Sequence, residues 1–292
     1  MKIINWTLKG IGQIMLQENA LTGLIFLSTL TISNWKYGLA VILATLSGTI
    51  IAQILKFPEK EIKAGLYGFS AALVGVVLVF LFEFTIWIGL LVVLGAVLAT
   101  LLQRFFIKIK FPAYTFPFIL VAWVFIYFLT ISSSVLPSEN HPEGNLKWID
   151  FLLLAPKSYA QVIFQSDFWI GILFFLGVCI HSLAAGLYGL FAAFLTSLLA
   201  FYLGQNPEDI TAGLFGYNAV LTAIVFAGSR LKDGVWVVIS IILTLLVQLI
   251  LVETEILKAV GGVLTFPFVA GTWLTLFIQK KSLQFKSFVL RR

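Results

Sequence analysis

The sequence predicts an all-α integral membrane protein of ten transmembrane helices, arranged as two inverted five-helix repeats. Three observations carry this prediction: an apolar composition, a self-similarity at a nearly constant offset, and a lopsided placement of basic residues.

Of the 292 residues, 60% are hydrophobic and 11% are charged, and the mean hydropathy is +1.05. A soluble domain does not need so much apolar material to fill its core. The runs Tyr37 to Leu55, Leu66 to Phe82, Ile86 to Leu102 and Val235 to Val252 each approach the length at which a helix crosses about 30 Å of hydrocarbon. Counting such runs gives five in each half. The start, MKIINWTLKGIGQ, has a basic end but no small-residue cleavage site behind a compact apolar core, so insertion is expected to rely on the first span itself. The lone Cys179 permits no intrachain disulfide and reads as a small buried apolar residue.

Sliding the chain against itself aligns Gln13-Ile14-Met15-Leu16-Gln17 with Gln161-Val162-Ile163-Phe164-Gln165, an offset of 161 − 13 = 148. The same register pairs Gly23 with Gly171, and Ala64-Gly65-Leu66-Tyr67-Gly68-Phe69-Ser70-Ala71 with Ala212-Gly213-Leu214-Phe215-Gly216-Tyr217-Asn218-Ala219. By the two Thr-Phe-Pro-Phe segments, at Thr115 and Thr265, the offset is 265 − 115 = 150. The expected organisation is a first five-span repeat over 1–131, an extracytoplasmic linker over 132–158, and a second repeat over 159–292 that ends in a basic cytoplasmic tail. An odd number of spans per half forces the halves into opposite orientations.

Charge placement agrees with that parity. With the N-terminus cytoplasmic and spans alternating, only Lys36, Lys147, Lys157 and Lys258 of the 19 basic residues fall outside, as the positive-inside rule requires. The net charge of +6 is thus explained by membrane orientation. Because the basic residues are scattered through loops and tails rather than gathered on one face, no nucleic-acid partner is expected.

The predicted span interiors are almost free of charge, which argues against ion or proton coupling. Glu83, Glu253 and Glu255 fall at predicted outer ends, and Glu18 and Asp167 flank expected helix breaks. His141 and His181 form no pair at helical spacing, and no metal cluster or nucleophile-base set is visible, so neither an enzyme nor a metal or other cofactor is expected.

What the halves do repeat is uncharged polarity beside apolar surface. Gln13 and Gln161 precede QENALTG and QSDFWIG, segments suited to a broken helix. Each glutamine either caps its own break or joins the break's free carbonyls in accepting hydrogen bonds from a permeant. Gly65 with Gly68, and Gly213 with Gly216, are read as lying one turn apart on a helix that another backbone approaches closely. Phe69 with Leu73, and Tyr217 with Leu221, then share a face. Thr115 and Thr265 stand two residues before a proline, at a helix entrance, with hydroxyls available for capping or for lining a cavity. In an inverted repeat the two hydroxyls face each other naturally at the midplane.

At these residues the sequence resembles the urea transporter family, whose members repeat the motif L-P-x-x-T-x-P-F. The counterparts are Phe111-Pro112-Ala113-Tyr114-Thr115-Phe116-Pro117-Phe118 and Gly261-Gly262-Val263-Leu264-Thr265-Phe266-Pro267-Phe268. GLYGFSAALVG, GLFGYNAVL and GIGQIMLQENALTG resemble further family segments, so the likeness covers nearly the whole chain. It implies a homotrimer whose subunits each hold a pore between the two repeats, with a re-entrant pore half-helix in each repeat. It also implies single-file passage of urea between apolar slots and an oxygen ladder. Gln13, Gln161, Thr115 and Thr265 would supply ladder oxygens. Leu16, Phe164, Phe69, Leu73, Tyr217 and Leu221 would supply slot walls. Ser70 stands where the family pattern has asparagine, Leu16 replaces a bulkier ring, and the Asp167 to Gly171 segment departs from the usual form.

The expected function is a passive urea channel in a bacterial inner membrane, with both termini cytoplasmic. The alternatives are a channel for a short amide or ammonia, and an ion-coupled secondary transporter.

Overall fold

The computed structural model describes residues 2–132 and 148–289. Glu139, His141, Glu143 and Lys147 of the expected linker, and Arg291 and Arg292 of the tail, lie outside the described residues. Among the described residues the chain is all-helical, with α1 (Lys2–Gly12), α2 (Ala20–Ser33), α3 (Trp35–Ile54), α4 (Glu59–Lys63), α5 (Phe69–Leu81), α6 (Ile86–Lys108) and α7 (Phe116–Ser132). There follow α8 (Trp148–Gln161), α9 (Phe168–His181), α10 (Leu183–Tyr202), α11 (Pro207–Thr211), α12 (Tyr217–Phe226), α13 (Leu231–Glu253) and α14 (Phe266–Val289).

The polar residues inside the first expected span of each half are helix caps. Asn19 Oδ1 accepts from the backbone N–H groups of Leu21 and Thr22, and Asp167 Oδ1 from those of Trp169 and Ile170, starting α2 and α9. Each cap satisfies donors that a helix start leaves without partners. Asn34 and Ser182 begin α3 and α10 in the same way.

The centre of each half is a short helix surrounded by longer ones. From Phe69 to Val79 every residue of α5 is buried, as is nearly all of α12. A helix apolar on all sides is a core element. α5 packs against α3, α6 and α7, and α12 against α10, α13 and α14. Among the described residues four helices, α3, α6, α10 and α13, are long and apolar enough to cross a membrane singly. The run Leu66 to Phe82 is helical only over Phe69–Leu81, about 20 Å at 1.5 Å per residue.

The element order repeats, but the register shifts within each half. α12 is three residues shorter than α5 (10 against 13), so α13 follows α6 at an offset of 231 − 86 = 145. The segment between α13 and α14 is then longer than that between α6 and α7, which restores the offset to 266 − 116 = 150.

Two findings revise local expectations. Gly65 and Gly213 are not helical: they have φ of +77° and +84° and lie in the turns that lead to α5 and α12. Close approach holds nonetheless, since a Cβ at Gly65 would meet the Gly10 backbone nitrogen at 2.4 Å, and one at Gly213 the Ser158 nitrogen at 2.7 Å. Cys179 is half-buried rather than buried, with Gly186 packed against its sulfur.

The halves meet along α2 and α9. Phe26 and Phe174, equivalent at the 148 offset, stack with centroids 4.1 Å apart and planes 2° from parallel. Thr22 Oγ1 donates to the Gly177 carbonyl at 2.8 Å beside them.

Candidate functional site

The two helix breaks after α1 and α8 have one geometry. At Leu16 and Phe164 the chain turns through left-handed φ, +62° in both, a conformation that costs a non-glycine residue roughly 1–2 kcal/mol. Long-range hydrogen bonds brace each break. Gln13 Nε2 donates to the Ala64 carbonyl at 3.1 Å, and Gln161 Nε2 to the Ala212 carbonyl at 3.0 Å. With its amide nitrogen so engaged, each half-buried glutamine presents Oε1 as an acceptor. Gln17 and Gln165, to which the sequence reading assigned no role, bond the break itself. Their Nε2 atoms donate to the carbonyls of Met15 and Phe164 at 2.6 and 3.1 Å.

The apolar candidates converge on one core. Phe69, Leu73, Tyr217 and Leu221 are buried in a single contiguous cluster, and half-buried Leu16 and Phe164 pack against it. The Phe164 ring lies 5.5 Å from that of Phe80 and 6.4 Å from that of Phe118, centroid to centroid. The Tyr217 hydroxyl is not an idle tip: it donates to the Leu264 carbonyl, one residue before Thr265.

At the entrances of α7 and α14 the two threonines meet. Thr115 Oγ1 and Thr265 Oγ1 are 2.7 Å apart and hydrogen-bonded, each 2% exposed. The hydroxyls face each other and do not cap their helices; capping, the plainer reading of their sequence position, is not what the side chains do. Tyr114 and Leu264, just before them, have left-handed φ of +49° and +46°. The two entrances also exchange equivalent bonds: Trp123 Nε1 donates to the Gly262 carbonyl at 3.0 Å and Trp273 Nε1 to the Pro112 carbonyl at 2.7 Å. Phe116 packs on Trp273 and Phe266 on Trp123, centroids 5.2 and 5.5 Å apart.

Behind Thr265 lies a buried amide network. Asn218 Oδ1 accepts from the Phe268 backbone N–H at 3.2 Å, its Nδ2 donates to Gln248 Oε1 at 3.2 Å, and Gln248 Nε2 donates to the Leu214 carbonyl at 2.6 Å. Sequence reading could reach Asn218 through the repeat but not Gln248, because its counterpart Gln103 stands at the shifted offset, 248 − 103 = 145.

The arrangement offers acceptor oxygens and a buried hydroxyl pair between apolar walls. Neutral molecules rich in N–H donors suit such a lining, whereas an ion would lack a counter-charge. The ion pairs Lys9–Glu18 and Arg104–Glu61, at 2.9 and 3.1 Å, involve none of these residues. Among the described residues, no three or more His, Cys, Asp or Glu side chains group as a metal site.

The sequence model of one family, described as urea transporter, matches residues 4–280. Among curated proteins, the chain is similar to urea transporter 1 of Rattus norvegicus, of Mus musculus and of Ovis aries. Each is 23% identical over 244 residues, which cover 78% of this chain and 64% of the relative. The match therefore spans somewhat less than two thirds of those relatives' length.

Proposed function

This chain belongs to the urea transporter family, and from that premise we propose that it is a passive channel conducting urea down its gradient. The family consists of membrane transporters rather than enzymes, and the apolar helices fit a membrane location. The observation that carries the reading is the buried Thr115–Thr265 hydroxyl pair, beside which each helix break offers a glutamine whose amide nitrogen is already engaged.

Urea is planar and neutral, and its N–H donors lose water on entering a narrow path. Each one left unpaired costs on the order of a few kcal/mol. In the proposed path Gln13 and Gln161 serve the two mouths and Thr115 and Thr265 the constriction. Leu16, Phe164, Phe69, Leu73, Tyr217 and Leu221 wall the slots. The reciprocal contacts Trp123–Gly262 and Trp273–Pro112 and the Phe26–Phe174 stack support a two-fold relation between a repeat over 1–131 and one over 159–292, separated by the 132–158 linker. The odd span count then makes that relation an inversion with its axis in the membrane plane, giving ten spans with a re-entrant pore half-helix in each repeat. A homotrimer in a bacterial inner membrane, with both termini cytoplasmic, completes the proposal.

Stopped-flow shrinkage of proteoliposomes in a urea gradient tests it. Flux well above that of empty vesicles and indifferent to an imposed pH gradient is expected. Flux no faster than empty vesicles overturns the reading, and a short amide or ammonia permeating in place of urea would redirect it. Thr115→Val combined with Thr265→Val should slow urea about tenfold, which is about 1.4 kcal/mol of barrier, with assembly unchanged.

A further inference from the structure

The amide network behind Thr265 has no protein equivalent behind Thr115. Ser70 stands at the position of Asn218, and Gln103 at that of Gln248 in the α6/α13 register. Both are buried, at 1% and 6% exposure, and Ser70 Oγ and Gln103 Oε1 have no hydrogen-bond partner among the described residues.

The backbone at the matching helix entrance is in the same state. In the second half, the Phe268 N–H reaches Asn218 Oδ1, and the Leu264 carbonyl accepts from Asn218 Nδ2 at 3.4 Å and from the Tyr217 hydroxyl. In the first half, no described residue bonds the Phe118 N–H or the Tyr114 carbonyl, and Phe69 has no hydroxyl to offer. Phe118 is fully buried. Pro117, which has no N–H, precedes it, so the Phe118 N–H is one of the few donors at the start of α7 that need satisfying.

Buried polar groups are nearly always hydrogen-bonded, and leaving one without a partner costs about 1–3 kcal/mol. By their correspondence with Gln248, Leu264, Phe268 and Asn218, two acceptors, a backbone donor and a hydroxyl that does either belong to the position where the other half inserts a carboxamide. Replacing that carboxamide by a serine hydroxyl leaves room on the order of one water molecule, about 30 Å3. An internal water needs two to four polar partners, and this position has four.

We propose that a single internal water is bound between Ser70, Gln103 and the backbone of Tyr114 and Phe118. It accepts from the Phe118 N–H, donates to Gln103 Oε1 and the Tyr114 carbonyl, and shares a hydrogen bond with Ser70 Oγ. That water does for the Thr115 entrance what the Asn218 side chain does for Thr265. The inference concerns how the turn is built and does not depend on which solute the protein conducts.

A crystal structure at about 2 Å resolution or better decides it. A solvent peak within hydrogen-bond distance of Ser70 Oγ and Gln103 Oε1 is expected, and a map without one overturns the proposal. Ser70→Asn should put its carboxamide in place of the peak and raise Tm by about 2 °C, the shift expected for one more satisfied group in a chain of this size. A peak that persists in Ser70→Asn beside a displaced asparagine would show that the water does not occupy the carboxamide position, which also overturns it.

Discussion

The entrances to α7 and α14 each carry a left-handed residue, Tyr114 or Leu264, followed by threonine and then proline, yet they are held differently. Leu264 and Phe268 are gripped by protein, through Tyr217 and Asn218, while Phe69 and Ser70, which stand at the matching positions of the first half, bond neither Tyr114 nor Phe118. The backbone nonetheless ends in one geometry, with φ of +49° and +46°, and the hydroxyls still meet at 2.7 Å. The turn is therefore fixed by the proline, the cross-bonding tryptophans and the surrounding apolar packing. The clamp behind it sets how much stability each turn contributes.

Substitutions in matched pairs sharpen or break this comparison. The largest effect should also be the most symmetric. A Cβ at Gly23 would lie 1.8 Å from the Leu8 carbonyl oxygen, and one at Gly171 1.8 Å from that of Pro156. Gly23→Ala and Gly171→Ala should each cost about 3 kcal/mol or more, seen as loss of monodisperse protein in detergent gel filtration. If one is tolerated and the other is not, the two breaks are not equivalent in packing.

Asymmetry should appear next, at the clamps. Asn218→Ala strips partners from Gln248 and from the Phe268 N–H and should cost about 3 kcal/mol. Ser70→Ala should stay within about 1 kcal/mol, since the first half has no protein network to lose. Thermal unfolding followed by tryptophan fluorescence measures both, and equal losses would contradict a one-sided clamp. Smaller still, Tyr217→Phe removes one hydrogen bond to Leu264 and should cost about 1 kcal/mol. Its near-match Phe69 already lacks the hydroxyl, so urea flux should survive the change. A large flux defect would mean that the hydroxyl does more than hold the turn.

Much of the site was legible because the repeat itself is legible. Gln13 with Gln161, Leu16 with Phe164, and Thr115 with Thr265 lie where the offset is regular, so duplication singled them out from many similar residues. Gln103 and Gln248 were not legible, because the shorter α12 slides the register before α13 begins and a constant-offset comparison passes over them. Gln17 and Gln165 aligned, but their bonds to carbonyls at positive-φ breaks depend on a backbone geometry that composition does not reveal. Spacing marks the glycines at 65 and 213 as sites of close approach but suggests helix there. Their left-handed turns are set by the chain entering α5 and α12, not by their spacing.

The sequence by itself determined the membrane character, through composition. It also determined the duplication, through a register kept over most of both halves, and the helix entrances, through prolines that lack an N–H and disfavour helix before them. Only the tertiary structure decided that the threonine hydroxyls bond each other instead of capping, that Tyr217 and Asn218 grip one turn while no described side chain does so at the other, and that α5 is shorter than the apolar run that contains it. These outcomes depend on which groups meet across the two halves. A hydrogen bond over 150 residues of sequence separation follows from packing geometry, which local pattern constrains but does not encode.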